Sequence, residues 1–242
     1  MLARRRSKFH SRAKFVIIVL GVATFFGGGA YFVFFSPYFQ IVEIEVEGAR
    51  LVEAKIISGP SEGNILFWKL PVEPSDFPQL STLTFEKDFT NRKIKIFVEE
   101  REKTLIWCLE ASEKCYWADA SGFIFTLAPS PEGTFVVSVV RDYTERDLDI
   151  GSNVLPDELL VNLDSIIKLL KDVDIPVDEL RIDDLKFKEA TAVIANGPEI
   201  YFSLLFDPRF GEGVIESLKT SPEWRTIRYV DLRVENRAYY SL

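Results

Sequence analysis

The chain has 242 residues, 47% of them hydrophobic and 13% aromatic, which is enough apolar mass for a folded core and excludes a disordered polymer. Its formal charge of −8 makes it a poor binder of nucleic acid. Two cysteines and a single histidine, His10, leave no ligand set for a structural zinc site.

Residues 1–14, MLARRRSKFHSRAK, carry Arg4, Arg5, Arg6, Lys8, Arg12 and Lys14 and no acidic residue. Residues 15–35, FVIIVLGVATFFGGGAYFVFF, follow without a charge; at ~1.5 Å rise per residue they reach roughly 30 Å, the thickness of bilayer hydrocarbon. The spacing predicts one transmembrane helix. Basic residues flanking a span stay in the cytoplasm, which places the N-terminus inside and lets Arg4, Arg5 and Arg6 meet anionic lipid. With six of the 29 Lys and Arg in the tail, 23 remain against all 37 acidic residues, so the rest carries −14. The rival is a cleaved signal peptide, with Gly28 and Ala30 before the cut. Tyr31–Phe35 extend the apolar run past that point, which favours a retained anchor.

In IVEIEVE (41–47), Val42, Ile44 and Val46 alternate with Glu43, Glu45 and Glu47, the pattern of a half-buried strand ended by Gly48. Leu51, Ala54, Lys55 and Ile56 suit a short helix. Pro71, Pro74 and Pro78 exclude a long helix before residue 80. Strands are predicted at LSTLTF (80–85) and in KIKIFVEERE (93–102), where Ile94, Ile96 and Val98 alternate with Lys93, Lys95 and Phe97.

Beyond residue 102, TLIWCL, CYWAD and GFIFTL read as a meander turning at Ala120–Ser121–Gly122. Cys108 and Cys115 fall on its first hairpin, as one disulfide or as two buried free thiols. Leu159, Leu163, Ile166, Leu170 and Val173 predict a helix over 156–173, with Asp157, Glu158, Asn162 and Asp164 toward water. Strand character resumes in ELRIDDLKF (179–187), and TAVIA turns at Asn196–Gly197–Pro198 into EIYFSLLF. A helix is expected near Glu212–Lys219. The segment 227–240, IRYVDLRVENRAYY, reads as one long terminal strand with a charged face, a candidate sheet edge.

Chemistry is sparse. With no histidine outside the tail, Ser–His and Cys–His mechanisms are excluded there. Carboxylate pairs such as Glu99/Glu100 and Asp183/Asp184 read as solvated faces, and GEG at 211–213 as a turn rather than a phosphate loop. No cofactor or metal is implied, and the chain reads as a binding module rather than an enzyme. An exposed edge strand takes up a strand from another chain through main-chain bonds.

Together these strings resemble the bacterial cell-division family FtsQ, called DivIB in Gram-positive bacteria, along nearly the whole chain. The resemblance runs through the basic tail and anchor, IVEIEVEG, KIKIFVEERE, the D-x-x-G-x-x-F pattern in YWADASGFIF, and the terminal YVDLRVENRAYY, whose Tyr229-Val230-Asp231-Leu232-Arg233 is the most specific. It implies an α+β chain: cytoplasmic tail 1–14, transmembrane helix 15–35, a small POTRA-like α+β domain over 36–102, and a mostly antiparallel β domain with flanking helices over 103–242. A POTRA domain has two helices before its second strand, and the prolines leave little room for the second. The resemblance further implies a non-catalytic divisome scaffold in the cell (inner) membrane at the division septum. Such a scaffold recruits the bitopic FtsB-like and FtsL-like proteins and helps control septal peptidoglycan synthesis. Carried over by position, partner binding falls on the stretch from Tyr229 to Asn236, with Asp231, Leu232 and Glu235 in it and Arg233, Val234 and Asn236 as the chief contacts; the charged edge of the strand adds Arg237. The alternative is a POTRA-containing envelope chaperone or assembly factor.

Overall fold

The computed structural model describes residues 3–60, 62–131 and 138–241. Side chains are described from residue 14 onward, so Arg4, Arg5, Arg6 and His10, with the lipid contact expected of the three arginines, lie outside it. The chain divides into two compact units, Met1–Glu100 and Arg101–Leu242.

The first unit opens with helix α1 (Ala3–Phe35). Its Lys14–Phe35 stretch is long and apolar enough to cross a membrane, and none of it is buried against protein. Ser36 stops the helix, its hydroxyl accepting from the Tyr38 amide and starting a 3-10 turn at Pro37–Phe39. Strand β1 (Glu43–Glu47), the five-residue helix α2 (Ala54–Ser58), β2 (Leu80–Asp88) and β3 (Lys93–Glu100) complete the unit. The sheet order is β1-β3-β2, with β1 parallel and β2 antiparallel to β3. The alternation in β3 buries Ile94, Ile96 and Val98 against Ile57, Ile65, Leu80 and Leu83. It also sets Lys93 and Lys95 beside Glu43 and Glu45 on the other face. Lys93 Nζ lies 2.6 Å from Glu43 and 2.7 Å from Glu45, and these hydrogen bonds hold its pKa above the ordinary lysine value. Gly48 turns the chain at φ +92°, where a Cβ would meet the Val98 carbonyl. Between α2 and β2 the described residues form one further helical element, a 3-10 turn at Pro74–Asp76 among the prolines.

Among the described residues the second unit is a nine-stranded mixed, mostly antiparallel sheet with two α-helices, making the chain α+β. Strands β4 (Leu105–Leu109), β5 (Lys114–Ala118) and β6 (Ile124–Ala128) form the meander. Strand β7 (Ser138–Asp142), which the sequence reading passed over, pairs parallel with β4 and with β8 (Val177–Ile182). Helix α3 (Asp157–Asp172) crosses between β7 and β8. It buries Leu159, Leu163, Ile166 and Leu170, with Leu160 and Leu169 beside them. Asn162 does not turn to water as expected: its amide donates to the Leu204 carbonyl at 2.8 Å, tying the helix to the end of β10. Strand character also ends sooner than ELRIDDLKF suggests. Asp184 accepts from the Lys186 amide and starts a 3-10 turn at Leu185–Phe187, and Lys188 leaves it with positive φ. Strands β9 (Glu189–Ile194) and β10 (Glu199–Ser203) form the hairpin read at Asn196–Gly197. Helix α4 (Glu212–Lys219) then leads to the C-terminal strands β11 (Tyr229–Val234) and β12 (Arg237–Ser241). The strand order is β12-β11-β10-β9-β8-β7-β4-β5-β6.

Cys108 and Cys115 face each other across β4 and β5 with Cα atoms 4.0 Å apart, and their sulfurs are bonded. They share a small cluster with Ile106, separate from the main core. Closing so short a loop removes about 2.5 kcal/mol of unfolded-chain entropy. The Cys108→Ala/Cys115→Ala variant is expected to lose about 2.5 kcal/mol of unfolding free energy, read as a lower denaturant midpoint; an unmoved midpoint would show that the bond adds nothing.

Candidate partner-binding edge

The segment read as one terminal strand is a hairpin. β11 is an interior strand, parallel to β10 on one side and antiparallel to β12 on the other. The chain reverses at Glu235–Asn236, with Asn236 in the left-handed region that asparagine tolerates better than most residues. The sheet therefore ends at β12; among the described residues no strand pairs beyond it.

This divides the residues expected to bind a partner. Leu232 is fully buried, with its methyl groups against Gly211, and reaches no surface. Tyr229, Asp231 and Arg233 share the outer face of β11. The Tyr229 ring stacks near Tyr201 at 5.8 Å, and the Arg233 guanidinium lies 5.1 Å over the Tyr201 ring. Arg233 donates to Asp231 (2.7 and 2.9 Å) and to Glu189 (3.0 Å), bridging β11 to β9 across β10. Val234, Glu235, Asn236 and Arg237 form the exposed hairpin tip, and only Arg237 belongs to β12. The remaining edge residues are Ala238, Tyr239, Tyr240 and Ser241, which the carry-over by position did not include. Ala238 leans on the core, while Tyr239 and Tyr240 are about half exposed, at 48% and 53%.

The opposite end of the sheet is guarded differently. On β6, the Ile124 amide donates to Ser152 and its carbonyl accepts from Gly151, and Phe123 bridges to Asn153. A loop thus occupies part of that edge. β12 combines an open flank with two half-exposed tyrosines and an arginine at its start, which suits main-chain capture of an extended segment with side-chain selection on both faces.

Hydrogen bonds from Arg233 hold the Asp231 carboxyl below its ordinary 3.8, outweighing a partial burial that pushes the other way. A depressed folded-state value means the pair stabilises the hairpin above the unfolded pKa and ceases to as pH falls through the folded one. A carboxyl-carbon NMR titration is expected to place the Asp231 midpoint below 3.8 and to move it upward in Arg233→Ala. A wild-type midpoint at or above that value would contradict the pairing.

The carboxylate pairs have structural work. Glu100 accepts from the Arg50 and Leu51 amides, Asp183 pairs with Arg181, and Asp184 caps the 3-10 turn after β8. Among the described residues no group of three or more His, Cys, Asp or Glu is placed to hold a metal ion. Compared with family models, the sequence gives no match, and compared with curated proteins it gives none either.

Proposed function

We propose that this chain is a non-catalytic scaffold of the bacterial division machinery, held in the cell membrane by α1 with its N-terminus in the cytoplasm and the residues after Phe35 outside. In this reading it captures an extended segment of an FtsB-like bitopic protein, and through it an FtsL-like one, at β12. It thereby gathers the proteins that control septal peptidoglycan synthesis. The observation that carries the reading is the open flank of β12 at one end of a nine-stranded sheet whose other end is partly covered.

Three further features support it. Lys14–Phe35 has the length and composition of a span, and the charge asymmetry around it fits an inside N-terminus. The order β1-β3-β2 with a short helix after β1 is compatible with a reduced POTRA-like domain. The sequence resemblance to the FtsQ/DivIB family is strongest at Tyr229–Arg233, next to the open strand.

The test has two parts. The extracytoplasmic segment of the FtsB-like protein from the same genome is titrated calorimetrically into residues 37–242, and the full chain is followed by fluorescence in dividing cells. Saturable binding with concentration at midcell is expected. A folded domain that binds nothing, in a chain spread evenly around the envelope, would sink the proposal.

A further inference from the structure

Within the first unit, the end of the β-sheet part next to α1 carries a collar of exposed apolar residues. The last turn of α1 is bonded into that unit. Asn64 donates its side-chain amide to the Val33 carbonyl at 2.6 Å, and the Phe67 ring stacks on Phe34 with centroids 4.9 Å apart and planes 7° apart. Phe34 lies inside the apolar stretch Lys14–Phe35, one residue from its end. Phe67 therefore stands level with the last turn of a helix whose whole apolar length is needed to cross hydrocarbon ~30 Å thick.

The tip of the β2–β3 hairpin is drawn to the same level. Arg92 donates to the Pro37 carbonyl at 2.8 Å, two residues past the helix end, and the Val42 amide donates to the Arg92 carbonyl. Phe89, in that tip, is 56% exposed, close to the 54% of Phe67; Tyr38 is exposed too, and Leu66 partly so. Single exposed apolar residues are ordinary, but four gathered at one end of a strongly acidic molecule call for a partner. The charges nearby are the right ones for lipid headgroups. Lys87 reaches over to the Leu66 carbonyl at 3.2 Å, Arg92 sits at Pro37, and the Asp88 carboxylate is engaged by the Thr90 and Asn91 amides of its own turn. Aromatic rings with flanking cations are the composition that partitions into the headgroup layer of a bilayer.

We propose that this collar, Tyr38, Leu66, Phe67 and Phe89 with Lys87 and Arg92, is a docking surface for the outer leaflet of the same membrane that α1 crosses. It seats the first unit on the lipid instead of leaving it on a free tether. The inference rests on the anchor reading of α1, because the depth of Phe67 is set by Phe34.

Since Cys108 and Cys115 are bonded to each other, a single introduced cysteine is the one free thiol, and nitroxide labelling can be confined to it. The full chain, labelled in turn at Leu66→Cys, Phe89→Cys, Val22→Cys and the exposed Lys171→Cys, is reconstituted into vesicles of phosphatidylethanolamine and phosphatidylglycerol. Collision with oxygen and with a water-soluble nickel chelate is measured by power saturation. The oxygen-to-nickel ratio is expected to be highest at position 22. At 66 and 89 it should lie severalfold above position 171, corresponding to the headgroup and upper acyl region, ~5–10 Å deep. Ratios at 66 and 89 equal to that at 171, with position 22 in hydrocarbon, would overturn the docking surface and leave the anchor standing. An aqueous ratio at position 22 would overturn the anchor and the docking surface together.

Discussion

Asp142→Ala will destabilise the second unit by about 3 kcal/mol, toward the low end of what removing one partner of a buried ion pair costs. The carboxylate lies at the end of β7 with no solvent exposure. One oxygen accepts from Arg146 (2.8 and 2.5 Å) and from the indole N–H of Trp107 at 3.1 Å, and the other accepts from the Thr144 amide at 3.0 Å. The Arg146 guanidinium also lies 5.6 Å over the Trp107 ring. Alanine leaves a fully buried indole donor and a mostly buried cation without their acceptor, and each lost partner carries a desolvation penalty. For a unit of this size the loss corresponds to a fall in Tm of roughly 10 °C. Because the pair is shielded from water, raising the salt concentration should leave the difference between variant and wild type nearly unchanged. A difference below about 0.5 kcal/mol, or one that vanishes in salt, would mean the carboxylate does not hold β4 to the β7 end as the geometry requires.

The second large effect is on binding. Amide groups alternate in direction along a strand, so of two neighbouring residues in β12 one donates toward β11 and the other donates outward. Tyr239→Pro and Tyr240→Pro should therefore behave oppositely. The substitution that removes an inward donor lowers stability, because proline breaks a ladder bond. The one that removes an outward donor leaves the unfolding midpoint close to wild type and weakens partner capture on the order of tenfold or more, about 1.4 kcal/mol. The two measurements together identify which tyrosine faces out. If both variants keep wild-type affinity while folded, strand addition at β12 is wrong, whatever else binds there.

Much of the architecture was legible because burial imposes period. The even positions of β3, the apolar stripe of α3, the Asn196–Gly197 turn and the extent of α4 all follow from spacing alone. Strand β7 was not legible: its Ser138-Val139-Val140 start has no alternation of apolar and polar residues, and the strand lies inside the sheet between two parallel neighbours. The short turn after β8 was hidden by apolar Leu185 and Phe187, which continue the look of a strand while Asp184 and Lys188 bend the backbone.

The C-terminal hairpin was hidden for a more particular reason. Its two-residue turn pairs Val234 with Arg237, which by itself would reverse the parity of buried positions. A register shift between Asp231 and Val234 reverses it again, so that Asp231 faces Tyr239 and Val230 faces Tyr240. Apolar residues consequently keep the same parity on both sides of the turn, Val230, Leu232 and Val234 before it and Ala238 and Tyr240 after it, as in a single strand. The one local sign was Asn236, whose side chain suits positive φ in a tight turn. The residues expected to bind a partner thus divide between two strands: Tyr229, Asp231 and Arg233 lie on one face of the interior strand β11, and the last strand of the sheet is β12, which of them contains Arg237 alone.

The most direct test of the proposed capture at β12 is amide hydrogen exchange on folded residues 37–242, with and without a saturating concentration of the FtsB-like segment proposed as partner. Protection is predicted at outward-facing amides of β12, with little change along β6 at the other end of the sheet. Protection at β6, or none at β12 while the segment is bound, would contradict the account.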